Sequence, residues 1–585
     1  MNYKAVKKKR IQKALFIVVS ALVIICMICL TVKEGKTSKQ EMLNTLRGND
    51  PLLQNIIKKQ ETETVELDLN YKLVDDKSIY DLKNAGNLSV FLLDILPDDK
   101  YSIIDLEHPE IANEIKLPVI MQEGNKNGTA RIGGFGYSST SSNATIEIKG
   151  NPKENRKYHN FKIRLKDSAS RHEGQSIINL KKAYGKPCKI EEKFAFDLFA
   201  SLDEMMSLRT KFVQVYVKNE QSYSGDYENY GLYILVEQPD ENYFINRDLD
   251  SSANMYQAEN FDFTADKALL EIDDPNYSKK DFEEILDIKQ GESHVALIDM
   301  IEAVNDENQD IDSIIEQHFD RDNIFAYMAM NVILGNEDMT TNGFMLYKPL
   351  LSTVWFVMPS NMSETMLCAL DEQRYGVIDS GLSQFDGNLL YERILSKQEN
   401  VTELIDKIDS LMERIDKNMV TSLTNQYITV LAEQLKVNPD RGIIKNSPEQ
   451  IITGVQNYYA IMQKNVEQFK KNLNAPQKVV LENAQSNPET VSLKWEDAKT
   501  IIKQELNYTI EIAEDADFNN IVYVVDFIKD NNVNIPKGAL PKGAKRFYWR
   551  VIATNMQGLS SGSANILKTN DDKIVYGAAS FAVII

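Results

Sequence analysis

The sequence predicts an α+β domain followed by a small all-β sandwich, both preceded by a single N-terminal transmembrane helix. Three observations support this prediction. Residues 14–32 contain no charged side chain, residues 86–473 mix segments with strand and helix periodicity, and residues 474–570 hold short alternating segments between turn residues. A chain of 585 residues is also too long for one hydrophobic core, so several domains are expected.

Residues 14–32 have the length of a membrane span. At ~1.5 Å rise per residue, a helix over this apolar run nearly matches the ~30 Å hydrocarbon core of a bilayer. The segment before it, residues 1–13, is basic and has no acidic residue. Because positively charged flanks stay in the cytoplasm, we expect residues 1–13 to be cytoplasmic and the bulk of this cell-membrane protein to be extracytoplasmic. Residues 33–85, which are polar and charged, are then a membrane-proximal spacer.

Two alternatives to a retained anchor are less favoured. A cleaved signal peptide would have a shorter apolar run and a small-x-small cleavage site, which is missing here. A lipoprotein signal is disfavoured because the bulky Ile25 and Ile28 directly precede Cys26 and Cys29.

Composition argues against several partners and sites. A net charge of -20 argues against nucleic acid or anionic lipid as a partner of the main body. Outside the apolar run the only cysteines are Cys188 and Cys368, which either form one disulfide or remain two separate buried thiols. The histidines show no zinc-ligand spacing, and no P-loop or G-x-S-x-G pattern occurs.

Residues 86–473 show the mixed periodicity of an α+β domain. Ala144–Ile148 and Phe161–Leu165 alternate apolar and polar residues, as strands with one buried face do. Further strands are predicted at Lys211–Val217 and Gly231–Glu237. Helices are predicted at Glu192–Leu202, over most of 281–335 and over 399–470, where Leu404, Ile408, Leu411 and Ile415 form one apolar stripe.

The chain changes character at Asn474. The alternating segments that follow are Thr490–Trp495, Tyr508–Glu514, Ile521–Phe527 and Arg546–Thr554. Their spacing is typical of a β-sandwich, and they resemble a fibronectin type III module with Trp495 on the second strand and FYWRVIATNMQG as the sixth. Modules of this kind are spacers or adhesive units. Residues 571–585 are predicted to be a C-terminal tail.

Several sequence blocks resemble a known family. In chain order they are ATIEIKGNPKENRKYHNFKIRLKD, MSLRTKFVQVYV, GLYILVEQPD, MYQAENFDF and GNEDMTTNGFMLYKPLLSTVWFVMPSNMSE. Together they resemble the CotH family of kinase-like proteins, which is named for a spore-coat protein, over roughly residues 90–470. The resemblance implies a kinase-like fold and protein phosphorylation that uses ATP and Mg²⁺.

The resemblance suggests roles for several residues. Lys162 matches the lysine that contacts the nucleotide phosphates, and Glu237 fits the carboxylate that orients this lysine. Lys149 and Gly150 are candidates for a turn where the backbone approaches the phosphates closely. Asp338 matches the acidic residue of the family's G-N-x-D block and is the candidate catalytic residue.

Most of the expected metal ligands are replaced. The family's metal-site asparagine falls on Gly343, with Asn342 one place early, and its W-D-x-D run falls on Ser360-Asn361-Met362-Ser363. An asparagine offers one neutral oxygen and a serine is a poor Mg²⁺ ligand. Asn342 and Asn361 therefore remain as the candidate metal ligands of a degenerate site.

Two functions are consistent with these residues. The first is a degenerate, pseudokinase-like protein that acts in the cell envelope by binding envelope proteins or surface polymers. The second is an active CotH-type protein Ser/Thr kinase that uses ATP and Mg²⁺ to phosphorylate envelope or spore-coat proteins, with Asn342, Glu364 or Asp371 replacing lost ligands. Losing one transition-state stabiliser costs ~10²–10³ in rate, so losing several together favours the first function.

Overall fold

The computed structural model describes residues 73–582, apart from 74, 151–156, 183–189, 220–225, 337, 351, 367–380, 445, 499, 544–545 and 569–573. The predicted membrane anchor, Cys188, Cys368 and Asp371 lie outside the described residues. Within them, no helix has both the length and the apolar character needed to span a bilayer.

The first half of the fold is a closed β-barrel. Its strands are β1 (Leu88–Ile95), β2 (Leu117–Glu123), β3 (Ala144–Ile148), β4 (Phe161–Leu165), β5 (Ile177–Lys181), β6 (Thr210–Asn219) and β7 (Glu228–Glu237). They follow the order β1-β2-β3-β4-β5-β7-β6, and the parallel pairing of β1 with β6 closes the barrel. Alternate residues of each strand fill the interior, so the polar residues between them face outward. The strands predicted from alternation are confirmed.

The folded region begins earlier than expected. Two short 3₁₀ turns, Lys77–Tyr80 and Leu82–Asn84, precede β1. The hydroxyl of Tyr80 is buried and donates to the carbonyl of Ser207 at 3.0 Å. The end of the predicted spacer is therefore part of the packed body, because its aromatic side chain has a buried partner.

A second sheet and a set of helices form the other half. The sheet has β8 (Asn254–Ala258), β9 (Leu286–Gln290), β10 (Phe344–Lys348) and β11 (Phe356–Pro359) in the order β11-β10-β8-β9. The helices are α1 (Glu191–Ala200), α2 (Glu241–Asn246), α3 (Lys279–Glu283), α4 (Val295–Asn305), α5 (Ile311–His318), α6 (Arg321–Leu334), α7 (Leu389–Leu395), α8 (Gln398–Arg414), α9 (Lys417–Gln434), α10 (Asp440–Ile443), α11 (Pro448–Gln456) and α12 (Tyr458–Lys471).

Helix α6 is the centre of the helical half. Its residues from Asn323 to Leu334 are all buried, and α8 and α12 pack against it. The helix ends at Gly335, whose φ of 61° is left-handed and costs glycine nothing. The predicted stripe on α8 is confirmed as core. The prediction of a mostly helical 281–335 missed β9, an edge strand whose pairing with β8 decides its conformation.

The C-terminal region is a sandwich of two sheets around one core. Its strands are β12 (Gln485–Ser486), β13 (Thr490–Lys494), β14 (Leu506–Ala513), β15 (Ile521–Ile528), β16 (Asn532–Pro536), β17 (Arg546–Asn555), β18 (Ser560–Ser561), β19 (Ile566–Lys568), β20 (Ile574–Tyr576) and β21 (Ala579–Ala582). One sheet has the order β12-β13-β16, the second has the order β15-β14-β17-β18, and β19 pairs with β20 in an additional two-stranded sheet. Strand β21 lies in the predicted tail but pairs with β17, where Phe581 stacks on Phe547. The fibronectin type III assignment stays a prediction.

Candidate functional site

Lysines line the outer face of the barrel at the end where β3 and β5 finish. Cross-strand pairing joins the buried residues Ile148, Phe161 and Leu180. Because neighbouring residues on a strand point to opposite faces, Lys149, Lys162 and Lys181 all face outward, away from the barrel interior. The N–H of Lys149 donates to the carbonyl of Asn160 at 2.9 Å, which continues the ladder past the end of β3.

Helix α1 places a carboxylate against one of these lysines. Glu192 lies in the first turn of α1, and its Oε1 is 2.5 Å from Nζ of Lys181. The Lys181 and Glu192 side chains are 25% and 13% exposed, so the pair is largely shielded from water. The carboxylate therefore fixes the position of the Lys181 ammonium.

The second sheet contributes one more lysine. Lys289 of β9 pairs with Asp287. Burial, followed by the positive charges of Lys181, Lys162 and Lys289, lowers the pKa of Lys149 to about 7. These ammonium groups therefore lie within electrostatic reach of one another, and we call Lys149, Lys162, Lys181 and Lys289 the lysine cluster.

Two members of the lysine cluster are unpaired. Lys149 and Lys162 form no hydrogen bond or ion pair with any residue that the structure describes. The pKa of Lys162 is also lowered, first by burial and then by the charge of Arg164. Carboxylates nevertheless lie within electrostatic reach, Glu192 of Lys149 and Glu147 and Asp287 of Lys162. Half-buried cations with perturbed pKa values are candidates for a functional site.

The structure does not bring Glu237 together with Lys162. Glu237 ends β7 opposite Ile178, in the inward-facing register, at the end of the barrel remote from Lys149. Its carboxylate accepts from Arg209 Nε at 2.8 Å and from Arg247 Nη2 at 2.7 Å. Burial raises the pKa of Glu237, but these two guanidinium groups outweigh it and the pKa is lowered overall.

Glu192 is a carboxylate that orients a lysine, but this lysine is Lys181 and not Lys162, which Glu237 was expected to orient. Glu192 was missed because the resemblance placed the carboxylate at the end of a strand. One sequence signal was available. Lys181 lies at the end of one strand and Glu192 at the predicted start of the next helix, so the first turn of that helix can contact the strand end. Gly150 follows Lys149 with a φ of 87°, in the left-handed region, and leads into residues outside the described range.

The expected metal ligands lie at the open end of the β10–β11 hairpin. Asn361 Nδ2 donates to Asn342 Oδ1 at 3.0 Å, and we call these two residues the amide pair. The N–H of Ser360 donates to the carbonyl of Gly343 at 2.8 Å. A Cβ at position 343 would lie 2.9 Å from the carbonyl oxygen of Asp338, so this position excludes the family's asparagine side chain as the backbone stands.

Asp338 precedes the amide pair member Asn342 by four residues. It lies in the turn between α6 and β10, where its carbonyl accepts from the N–H of Gly343 at 2.8 Å. Its charge helps raise the pKa of Tyr327, after burial, so the carboxylate is close to that buried phenol. Among the described residues, no group of three or more histidine, cysteine, aspartate or glutamate side chains is placed to hold a metal ion.

The lysine cluster and the amide pair both lie near Glu259. The pairing of β8 with β10, continued past the strand ends, sets Glu259 opposite Gly343. Lys289 and Lys149 both lower the pKa of Glu259, which burial raises overall. Glu259 therefore lies between the two sets of residues.

The two sets differ in their fit to MgATP. The lysine cluster offers the cations that nucleotide phosphates need. The amide pair offers two neutral groups already hydrogen-bonded to each other, where Mg²⁺ prefers carboxylate oxygens. The phosphate half of the site fits the implied cofactor, and the metal half does not.

A cavity of about 500 Å³ opens at the other end of the barrel. Its lining includes Glu123, Lys126, Arg131, Lys211 and Glu433. No predicted site residue lines it, and its charged groups are largely engaged in ion pairs, such as that between Lys126 and Glu433 at 3.2 Å.

Comparison with protein-family models shows which family the chain belongs to. The model of the CotH kinase protein family matches residues 146–486, which is more than half of the chain. The chain belongs to the CotH kinase family. The matched CotH region contains the whole lysine cluster, Glu192, Asp338 and the amide pair. A second model, of the SusE outer membrane protein, matches residues 458–537.

The solved structures that match this CotH protein resemble it only distantly. The Helicobacter pylori proinflammatory kinase CtkA is 12% identical, with 55% of this chain and 96% of that chain covered and a TM-score of 0.25. The golgi casein kinase is 10% identical, with 54% and 71% covered and a TM-score of 0.24. Likenesses this weak add nothing to the family assignment. No curated protein matches the chain.

Proposed function

We propose that this CotH protein is a pseudokinase-like protein of the cell envelope, which is anchored in the membrane by residues 14–32 and acts outside the cytoplasm by binding. The amide pair is the observation that supports the absence of catalysis. Where the family has a carboxylate that holds the metal, Asn361 donates its amide N–H to Asn342 at 3.0 Å. The side-chain oxygen of Asn342 is therefore already engaged by a neutral donor and not by a cation.

The loss of metal ligands has a large expected effect on phosphoryl transfer. Metal ions bridge the phosphates and compensate the charge that develops during transfer. Removal of one such stabiliser costs ~10²–10³ in rate, and here Asn361 and Ser363 both replace aspartates of the family run. The geometry therefore favours a protein that holds a ligand over one that turns it over.

Binding partners of the envelope are consistent with the rest of the chain. The net charge of -20 disfavours nucleic acid and favours proteins or polymers that tolerate or seek an acidic surface. The C-terminal sandwich, which resembles a fibronectin type III module, has an edge strand, β15, with Phe527 81% exposed and Val524 48% exposed. An exposed apolar edge of this kind suits an adhesive unit.

A second candidate function is an active CotH-type Ser/Thr kinase that uses ATP and Mg²⁺. Two observations favour it. Asp338 is retained, and Lys181 has a carboxylate partner in Glu192 at 2.5 Å, as the phosphate lysine of a kinase requires.

Phosphate transfer by the full chain distinguishes the two functions. The chain is incubated with γ-labelled ATP, generic Ser/Thr acceptor proteins, and either Mg²⁺ or Mn²⁺. We expect no more label than the Asp338→Ala variant transfers. Metal-dependent labelling that Asp338→Ala abolishes would establish the kinase instead. A double variant, Asn361→Asp with Ser363→Asp, then asks whether restored carboxylates are enough for transfer.

The orientation of the chain in the membrane is tested separately from phosphate transfer. Protease added to intact cells should degrade an epitope tag at the C-terminus and leave a tag before residue 14 untouched. Protection of the C-terminal tag would contradict the proposed orientation, whatever the outcome of the transfer assay.

A further inference from the structure

We propose that strand β15 of the C-terminal sandwich pairs with β15 of a second copy of this chain, about a two-fold axis that passes through Val524. The pairing joins two sheets edge to edge and uses the same edge of both copies, so it stops at a dimer. The inference names the partner of the exposed apolar edge described above, and rests on the proposed function only for binding through the sandwich. It does not depend on the absence of phosphate transfer.

Strand β15 is the longest edge strand among those described in the sandwich. It ends the sheet β15-β14-β17-β18, and its eight residues pair with β14 alone in the described structure. The other end of this sheet, β18, has two residues, and the second sheet ends at the two-residue β12 and at β16, which finishes with Pro536. Short edges and edge prolines hinder pairing with another chain, and β15 contains neither proline nor lysine. An added strand therefore fits best at β15.

The backbone of Val524 faces the free side of this edge. On β17, the N–H of Val551 donates to Ser563 Oγ at 3.0 Å and its carbonyl accepts from the same hydroxyl at 3.0 Å, so both point away from β14. Ile510 of β14, opposite Val551, therefore directs its backbone groups towards Val525 of β15. Because neighbouring residues direct these groups to opposite sides, the N–H and carbonyl of Val524 point away from β14. Within the described ranges, no loop or turn hydrogen-bonds to them.

The exposed apolar residues of β15 are arranged symmetrically about Val524. Ile521, Val524 and Phe527 are exposed and follow one another at intervals of three residues. In an antiparallel pair with Val524 opposite Val524 of the second copy, Ile521 of each copy lies opposite Phe527 of the other. One register therefore covers all three side chains on both copies. A strand needs this symmetry to pair with itself and does not need it to pair with a different chain.

The charges of the edge fit the same register. Asp526 is the single charged residue of β15 and lies opposite Val522 of the second copy. The two Asp526 residues are then four positions apart, about 13 Å along the strands, which exceeds the Debye length of ~8 Å at physiological salt. Residues 474–585 contain 12 basic and 13 acidic residues, so nearly all of the net charge of -20 lies elsewhere in the chain. Two sandwiches can therefore approach each other with little repulsion.

Phe527 has an unfavourable backbone conformation. Its φ of 59° lies in the left-handed region, which a bulky residue rarely adopts. The pairing register shifts between Tyr508 and Ile510, so Asp526 and Phe527 together oppose one residue of β14 and form a bulge. Phe527 is 81% exposed, so burial within one copy does not account for this conformation. Strain at an exposed aromatic residue is consistent with a contact made in an assembly.

Sedimentation equilibrium of the full chain, in a density-matched detergent with micelles in excess over protein, measures the dimer. We expect a monomer–dimer equilibrium without larger species. Val524→Lys places two ammonium groups at the two-fold axis and should raise the dissociation constant about tenfold or more. The matched control is Met556→Lys, which changes another exposed apolar residue of the sandwich, after the end of β17, and should leave the constant unchanged. Urea midpoints equal to that of the wild type show that both variants are folded.

Val522→Lys tests the register. A lysine on a free edge ordinarily opposes pairing, but here it faces Asp526 of the second copy and should tighten the dimer several-fold. Adding Asp526→Lys to Val522→Lys sets like charges opposite each other and should reverse this gain. Weakening of the dimer by Val522→Lys alone would overturn the register about Val524.

Other outcomes would overturn the dimer itself. They are a wild-type chain that stays monomeric, a dimer that Val524→Lys leaves intact, equal weakening by Met556→Lys, or assemblies larger than a dimer. A photo-crosslinking residue at position 524, activated in intact cells, should give a cross-linked dimer of this chain, and cross-linking only to a different polypeptide would assign the edge to that partner instead. Dimerisation together with phosphate transfer would refute only the pseudokinase, whereas a monomer without transfer would refute only the dimer.

Discussion

The lysine cluster and the amide pair lie on either side of Glu259 but satisfy their polar groups in different ways. Lys149 and Lys162 form no hydrogen bond or ion pair with a described residue, although carboxylates lie within electrostatic reach of both. Asn342 and Asn361 are neutral and share one hydrogen bond of 3.0 Å. The difference teaches that the two sets of residues carry unequal charge. The lysines carry charge that carboxylates offset only at a distance, whereas the amides carry none.

This contrast has an energetic basis. A partly buried charge without a hydrogen-bonding partner is costly, and such groups are found at functional sites more often than elsewhere. An amide–amide hydrogen bond is close to neutral in net stability and can persist without any function. The lysines are therefore stronger evidence for a present-day ligand than the amides are against one.

The largest expected effect is on the free energy of unfolding and comes from Glu237, which belongs to neither the lysine cluster nor the amide pair. Glu237→Gln should lower the free energy of unfolding by about 3–5 kcal/mol, because the buried Arg247 and the largely buried Arg209 lose their shared counter-charge. Triphosphate affinity of the remaining folded protein should not change. Urea denaturation and calorimetry measure the two quantities.

A matched control for this variant is Glu228→Gln. Glu228 pairs with Lys157 at 2.7 Å, but its side chain is 53% exposed, so the expected loss is below about 1 kcal/mol. If Glu237→Gln left stability intact and abolished triphosphate binding, the role of orienting carboxylate would return to Glu237.

Much of the fold was accessible from sequence for simple physical reasons. Alternation in Ala144–Ile148 and Phe161–Leu165 predicted strands because one face of each lines the barrel. The stripe on α8 predicted a core face for the same reason. Strand β9 was missed because its conformation depends on pairing with β8, and β21 because it completes a sheet begun by distant residues.

The candidate site could be predicted from the sequence only in part. Lys149 and Lys162 were predicted from local blocks, and the structure places them within electrostatic reach of each other. The partnership of Lys181 with Glu192 depends on how α1 packs across the strand end, which no local pattern encodes. The sequence block around Glu237 cannot show that Arg209 and Arg247 converge on its carboxylate.

An intermediate effect is expected from charging the amide pair. In Asn342→Asp with Asn361→Asp, two carboxylates about 3 Å apart cannot both ionise without a cation. We expect a loss of about 1–3 kcal/mol in EDTA, within the usual range for unpaired buried charge, and recovery with millimolar Mg²⁺ or Ca²⁺. Thermal denaturation with and without the ions measures both.

The single variant Asn361→Asp is the control for that effect. The amide of Asn342 can turn around and donate its N–H to the new carboxylate, so little stability should be lost. A double variant that is as stable as the wild type in EDTA would mean that the hairpin end is open to water. The hydrogen bond within the amide pair would then be no evidence against metal binding at this position.

An effect of similar size tests the charge of Lys149 itself. Lys149 has a folded-state pKa of about 7, below the ~10.4 of a lysine in an unfolded chain. Between these two values the unfolded state binds a proton that the folded state lacks, so stability rises as the pH rises through this window. Lys149→Met removes the titrating group. It should therefore be more stable than the wild type at pH 6.5, with the gap narrowing by about 1–3 kcal/mol towards pH 9.5.

Urea midpoints of both proteins across this pH range measure the gap, and Lys126→Met controls for loss of a lysine that is exposed and ion-paired. A gap that stays constant from pH 6.5 to 9.5 would mean that the Lys149 ammonium is already compensated in the unliganded protein. The lysine cluster would then carry no charge that lacks compensation. The lysine cluster and the amide pair would no longer differ in this respect.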